Sequence, residues 1–159
     1  MSLGCLRRAA LLVAIATAAA CRSGEVDPND PRIVADVEAT LDTIVKAAMA
    51  ADANAVLAAS TGDDSFTFIT GNTMLKGHDQ ALAAFRATYA LLQGQTNQII
   101  EKRVRVLSPD VVLVSALSEG TFTDKAGFTF PPVGLGSTAV FVRRAGQWRV
   151  IHFHQSVAQ

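Results

Sequence analysis

Apolar positions follow three different rhythms along this chain. From Ala9 to Ala20 they form an almost continuous run. From residue 31 to about 92 they return every third or fourth position, the spacing of a helix face. From about residue 97 to the end they mostly alternate, the spacing of a half-buried strand. Asp30-Pro31 is a strong helix start, an acidic cap followed by proline at the first helical position. Val34, Val37, Leu41, Ile44 or Val45, and Ala48 then predict a helix over 31–51. Asp52 can cap a second, alanine-rich helix ending near Ser60, and Leu82, Phe85, Tyr89 and Leu92 mark a third over 79–92. Between them, 65–70 reads as a short strand with Phe66 and Phe68 on one face, followed by a hairpin-like connection over 71–77. Strands are predicted over 97–107, 111–124 and 128–144, then a last one after the turn at Ala145-Gly146-Gln147. Pro131 and Pro132 cannot both sit in a central ladder, so the return strand is bulged there or begins after them. Strict alternation in the last strand would place Trp148, Val150, His152, His154 and Ser156 on one face, and Arg149, Ile151, Phe153 and Gln155 on the other.

The first apolar run is shorter than the roughly 20 residues that span a bilayer. Preceded by Arg7 and Arg8, it reads as a secretory signal over 1–20. Ala18-Ala19-Ala20-Cys21 resembles a bacterial lipobox, which implies cleavage before Cys21 and lipid on that cysteine. The only other cysteine is Cys5, inside the signal, so the mature chain has no partner for a disulfide. Arg22 after the cysteine favours the outer membrane over retention at the inner one; simple secretion is the alternative. Residues 21–30 read as a polar tether and 31–159 as one domain. Beyond the signal the chain carries 12 basic and 14 acidic residues with no basic stripe, which argues against nucleic acid as a partner.

Helices followed by a meander of long strands define an α+β protein, with helices packed on one face of a curved sheet. Three segments resemble the nuclear transport factor 2-like superfamily in its SnoaL-like branch. They are GNTMLKGHDQALAAF (71–85), the turn and strand over 108–124, and STAVFVRRAGQWRVIHFHQS (137–156). The last is most similar to the association (hub) domain of calcium/calmodulin-dependent protein kinase II. The resemblance implies a cone: a curved, antiparallel or mixed sheet wrapped around about three N-terminal helices, with a pocket inside. It does not imply a reaction, because isomerases, dehydratases, hydrolases, binding proteins and assembly domains share the fold. Where the hub domain carries pocket arginines, this chain has Ser118, Ala139 and Gln155, which argues against the acidic ligand that such arginines would hold.

Candidate chemistry is sparse. Tyr89, Ser118, Phe122, Phe153 and Gln155 are the expected ligand-binding residues. The eight phenylalanines suit a small hydrophobic ligand. Glu119, Tyr89 and His154 are the candidate proton carriers of an alternative reading, an isomerase, dehydratase or hydrolase; a carboxylate inside an apolar cone would have a raised pKa and could serve as a base. His152 and His154 could chelate a metal from one strand face, but no nearby motif supplies a third ligand. No metal and no cofactor is therefore expected. The expected protein is a lipid-anchored envelope domain that binds a small hydrophobic molecule or acts as a homodimeric assembly module. No catalysis is established by these residues.

Overall fold

A computed structural model describes residues 27–157. The signal over 1–20 and the lipidation position Cys21 lie outside the described residues, as does most of the tether. From residue 27 onward the chain is fixed to the domain. Asp27 accepts from the amides of Asn29 and Asp30, and the carbonyl of Pro28 accepts from the amide of Val106 at 2.9 Å. Asp30 caps α1 (Pro31–Met49) by accepting from Arg32 and Ile33, as Asp-Pro leads one to expect. Asp52 caps the short α2 (Ala53–Ala58) through the Ala55 amide.

The remaining elements are β1 (Thr67–Thr70), β2 (Thr73–Lys76), α3 (His78–Tyr89), β3 (Leu92–Gln95), β4 (Gln98–Ser108), β5 (Val111–Gly120), β6 (Phe122–Asp124), β7 (Val133–Arg144) and β8 (Gln147–Val157). Six strands form one sheet in the order β2-β1-β8-β7-β5-β4, and β3 pairs with β6 in a small second sheet. Neighbours in the large sheet are antiparallel except β1 and β8, which run parallel. This is the α+β cone expected from the sequence, with three helices lying in the concave face.

Three local expectations need correction. Leu92 leaves the third helix: Ala90 caps α3, and Leu92 opens β3. The strand over 111–124 breaks at Thr121, after which β6 joins the second sheet. The corner is held by a pair of threonines. The Thr96 amide donates to the Thr121 carbonyl at 2.9 Å, the Thr121 amide to the Thr96 hydroxyl at 3.0 Å, and the two hydroxyls lie 2.8 Å apart. A Cβ on Gly120 would stand 2.5 Å from the Thr96 carbonyl oxygen, so only glycine fits beside this corner. The return strand starts at Val133, after both prolines.

The third correction concerns the last strand. Its register against β7 slips at Ile151: Phe141 faces Val150, and Val140 faces His152. The extra residue is a β-bulge, and it resets the alternation. Trp148 and Val150 therefore share the inner face with Phe153 and Gln155, while His152 and His154 face outward.

The core lies between the helices and the inner sheet face. Val37 and Leu41 of α1, Leu57 of α2 and Ala81 of α3 pack on Phe68, Val106, Val112, Val114, Ala139, Phe141, Trp148 and Val150. Trp148 is 7% exposed, with the Arg143 guanidinium 4.7 Å from its ring centre.

Candidate functional site

All three helices and the long strands run between two ends of the molecule. One end carries residues 27–30 and the turns that join β4 to β5 and β7 to β8. The other carries the α1–α2 turn, the end of α3, and the β3–β6 pair. Tyr89 stands at this second end, on the last turn of α3, because the apolar stripe of that helix returns there to the inside. Its ring meets Phe85 edge-on at 5.6 Å. Phe85 meets Phe68 at 5.0 Å, and Phe68 stacks on Phe153 at 5.6 Å, the planes 5° apart. Four rings thus cross the inside of the cone from α3 to β8. Burial pushes the Tyr89 phenol above its usual pKa, and a hydrogen bond with Gln95 pulls partly back.

Ser118 is buried and inward-facing on β5, between Ile99 and Leu135 in the ladder. Gln155 is half-buried on the same inner surface, between Ser137 on β7 and Thr70 on β1. Phe122 is half-buried opposite Gln95. The five expected ligand residues therefore lie on the inner side or at the Tyr89 end of the cone.

The other candidates do not join them. Glu119 is exposed on the outer sheet face, paired with Gln98 and Gly134. His154 is exposed on that face beside Thr138 and Ile69, with His152 beside Val140 and Thr67. The sheet separates all three from Tyr89. Among the described residues no group of three or more His, Cys, Asp or Glu side chains could hold a metal.

Two residues escaped the sequence reading. Gln95 donates to the carbonyl of Ala48, tying β3 to the end of α1 while also meeting Tyr89. Asn97 sits two residues on, where alternation turns it inward beside Gly120, and its Oδ1 is sealed from solvent without a partner. A buried, unpaired acceptor is uncommon and costs roughly 1–3 kcal/mol. The signal was present as two polar residues of one strand parity, Gln95 and Asn97, ahead of the apolar Ile99.

Outside this end opens a hollow of about 390 Å³, lined by residues 50–54 of the α1–α2 turn with Arg86, Tyr89 and Ala90. Arg86 donates to the Asn54 side chain across it. A second hollow, of about 370 Å³, lies at the opposite end between α1 and β4, where Glu38 and Lys102 pair at 2.9 Å.

The polar residues placed on the inner side or at the Tyr89 end are Tyr89 itself, Gln95, Asn97, Ser118 and Gln155. They can donate or accept hydrogen bonds, while the candidate carboxylate Glu119 and the histidines His152 and His154 stand on the outer face. This arrangement is the class of cone found in nuclear transport factor 2-like proteins. A nuclear transport factor 2-like superfamily protein from Salmonella enterica superposes with a TM-score of 0.73 at 14% identity, over 80% of this chain and 92% of that one. A ketosteroid isomerase-like protein from Erwinia carotovora gives 0.69 at 24% identity, over 81% and 98%. A candidate calcium/calmodulin-dependent protein kinase II association domain from Xanthomonas campestris gives 0.67 at 24%, over 77% and 85%. At these identities the likeness is one of fold. Curated protein sequences yield no match. Residues 37–159 match the model of the SnoaL-like domain, and the chain belongs to that family.

Proposed function

We propose that this protein is a lipid-anchored envelope domain that binds a small, largely hydrophobic molecule in its cone. The observation that supports binding over proton transfer is the composition of the inner face. A ladder of four rings is flanked by uncharged hydrogen-bonding groups, including an Asn97 oxygen that lacks a donor. Such a surface suits an aromatic or alicyclic ligand bearing one or two neutral polar groups, a hydroxyl above all, which could donate to Asn97. The carboxylate and histidine that an isomerase or dehydratase reading would use stand on the other side of the sheet.

Binding is tested with 1-anilinonaphthalene-8-sulfonate, whose fluorescence rises in apolar pockets. Saturable binding by the wild type, weakened in Asn97→Ala and in Gln155→Leu but not in Glu119→Gln, is the expected result. Equal binding by all four proteins would sink the assignment of the site to the cone. Anchoring is tested separately. Cys21→Ser is expected to move the protein from the membrane to the soluble fraction, and a variant that still sediments with membranes would remove the basis for the lipoprotein reading.

The outer sheet face supports a homodimer as the working form. Leu117 is 54% exposed and Met74 51% exposed. They share that face with Ile69, Val140, Thr138, His152 and His154, so apolar side chains alternate there with polar ones that a partner copy could satisfy.

A further inference from the structure

The last strand carries a pair of side chains that ligand binding in the cone does not use. His152 and His154 stand two residues apart on the outer face of β8. We propose that they form half of a divalent transition-metal site, completed by the same pair from a second copy of the chain, so that one zinc-class ion bridges the outer sheet faces of a dimer. Such a site depends on the homodimer proposed above.

Three features suit the pair to this role. The first is register. The bulge at Ile151 ends before the pair begins, and His152, Phe153 and His154 face Val140, Ala139 and Thr138 without a further slip. Two residues of regular strand advance about 6.7 Å, and both side chains leave the sheet on the same side. Two nitrogens bound to one zinc at about 2 Å lie roughly 3 Å apart. Each ring need only lean toward the other by a side-chain rotation. The second feature is rigidity. β8 is paired on both sides, with β1 and with β7. Between the histidines Phe153 points inward and stacks on Phe68 at 5.6 Å, which clamps the backbone that carries them. Ligands on such a strand are ordered before the metal arrives, so little freedom is lost on binding. The third is the surroundings. The strand neighbours of the pair are Thr67, Ile69, Thr138 and Val140, all uncharged. Along the same cross-strand rows the first charged residues are Lys76, two strands away on β2, and Arg103 and Arg105, three strands away on β4. At about 4.8 Å per strand these cations stand roughly a Debye length or more from the ion they would repel.

One chain supplies two ligands, whereas a structural zinc takes four nitrogen or sulfur donors. The second copy makes up the number. β8 is the third of six strands, so the pair lies near the middle of the outer face. An isologous dimer packs the same patch on itself, and residues beside its two-fold axis meet their own copies. Four imidazoles would then meet in a face that otherwise offers side chains such as Ile69, Val140 and Leu117. Buried there without partners, their nitrogens would be costly; one ion engages a nitrogen of each. Zinc suits imidazole, and its tetrahedral shell matches two chelating pairs that approach from opposite sides.

The test uses the full chain without an affinity tag, in a non-ionic detergent. Sedimentation velocity gives the dimer dissociation constant after stripping with EDTA and again after zinc chloride is added, and atomic emission counts the bound zinc. One zinc per two chains and a dissociation constant at least tenfold lower with zinc are the expected results. His152→Ala and His154→Ala should each lose both effects. His78→Ala should keep both, because that imidazole lies elsewhere, 3.0 Å from Asp79. Zinc bound at one per chain, or the zinc effect retained by both β8 variants, would overturn the shared site. A dimer that forms equally well with and without zinc would also overturn it and leave the homodimer standing. A chain that stays monomeric under both conditions would remove the homodimer, and the site with it.

Discussion

Trp148 shows how one residue joins the sheet to the helical layer. It is the second residue of the last strand, is almost fully buried, and carries the Arg143 guanidinium over its ring. Replacing it with alanine should cost on the order of 3 kcal/mol or more, read from chemical denaturation midpoints. A shift of only a few tenths would show that the indole is not a core anchor. Tyr89 makes a different prediction, because its folded pKa is raised above the ordinary value of 10.0 by burial. A raised acid pKa means that the folded state keeps its proton where the unfolded chain has lost it. The associated stability is complete below the unfolded value and is lost as pH climbs from 10 through the folded value. Tyr89→Phe removes this linkage. The wild type should therefore lose stability faster than the variant above pH 10, and parallel stability curves would show that the phenol is not desolvated in solution. Both residues were legible as core candidates from their apolar company. Asn97 was not, because its lack of a partner depends on how Gly120 and the Thr96–Thr121 corner close around it, and no local pattern encodes that.

At the scale of elements, the sequence announced the helices through their caps and stripes, and the strands through alternation. It misplaced features that depend on pairing. The bulge at Ile151 has no glycine or proline to mark it, so strict alternation put the histidines with Trp148, while the ladder to β7 turns them outward. Leu92 follows Tyr89 at helical spacing and reads as helix, yet pairing with Asp124 draws it into β3. Gly120→Ala tests the corner between the two sheets. A methyl group 2.5 Å from a backbone oxygen cannot be absorbed by a rotamer change, so one strand must move. We expect a loss of about 2 kcal/mol; a neutral result would mean that the corner is looser than its hydrogen bonds imply. A conservative change on the outer face, such as Ser115→Thr, should cost under about 0.5 kcal/mol and gives the contrast.

For the whole molecule, the two sheet faces divide the work. The inner face and the helices form the cone, and the outer face presents apolar side chains such as Leu117 and Met74 that the described residues leave half exposed. Leu117→Arg should convert a dimer to a monomer in sedimentation velocity while leaving 1-anilinonaphthalene-8-sulfonate binding in place. An unchanged mass would take the outer face out of the assembly. The sheet order has another consequence. The strand made last, β8, lies in the interior of the sheet, between β1 and β7. Until residues 147–157 exist, the β1–β2 hairpin has no neighbour to join, and it must wait for a partner some 85 positions downstream, where Thr67 meets His152. A nascent chain therefore cannot complete this domain until nearly all of it has been translated. Folding that depends on so distant a pairing is slow, and it leaves the β1–β2 hairpin exposed for most of the time the domain is being made.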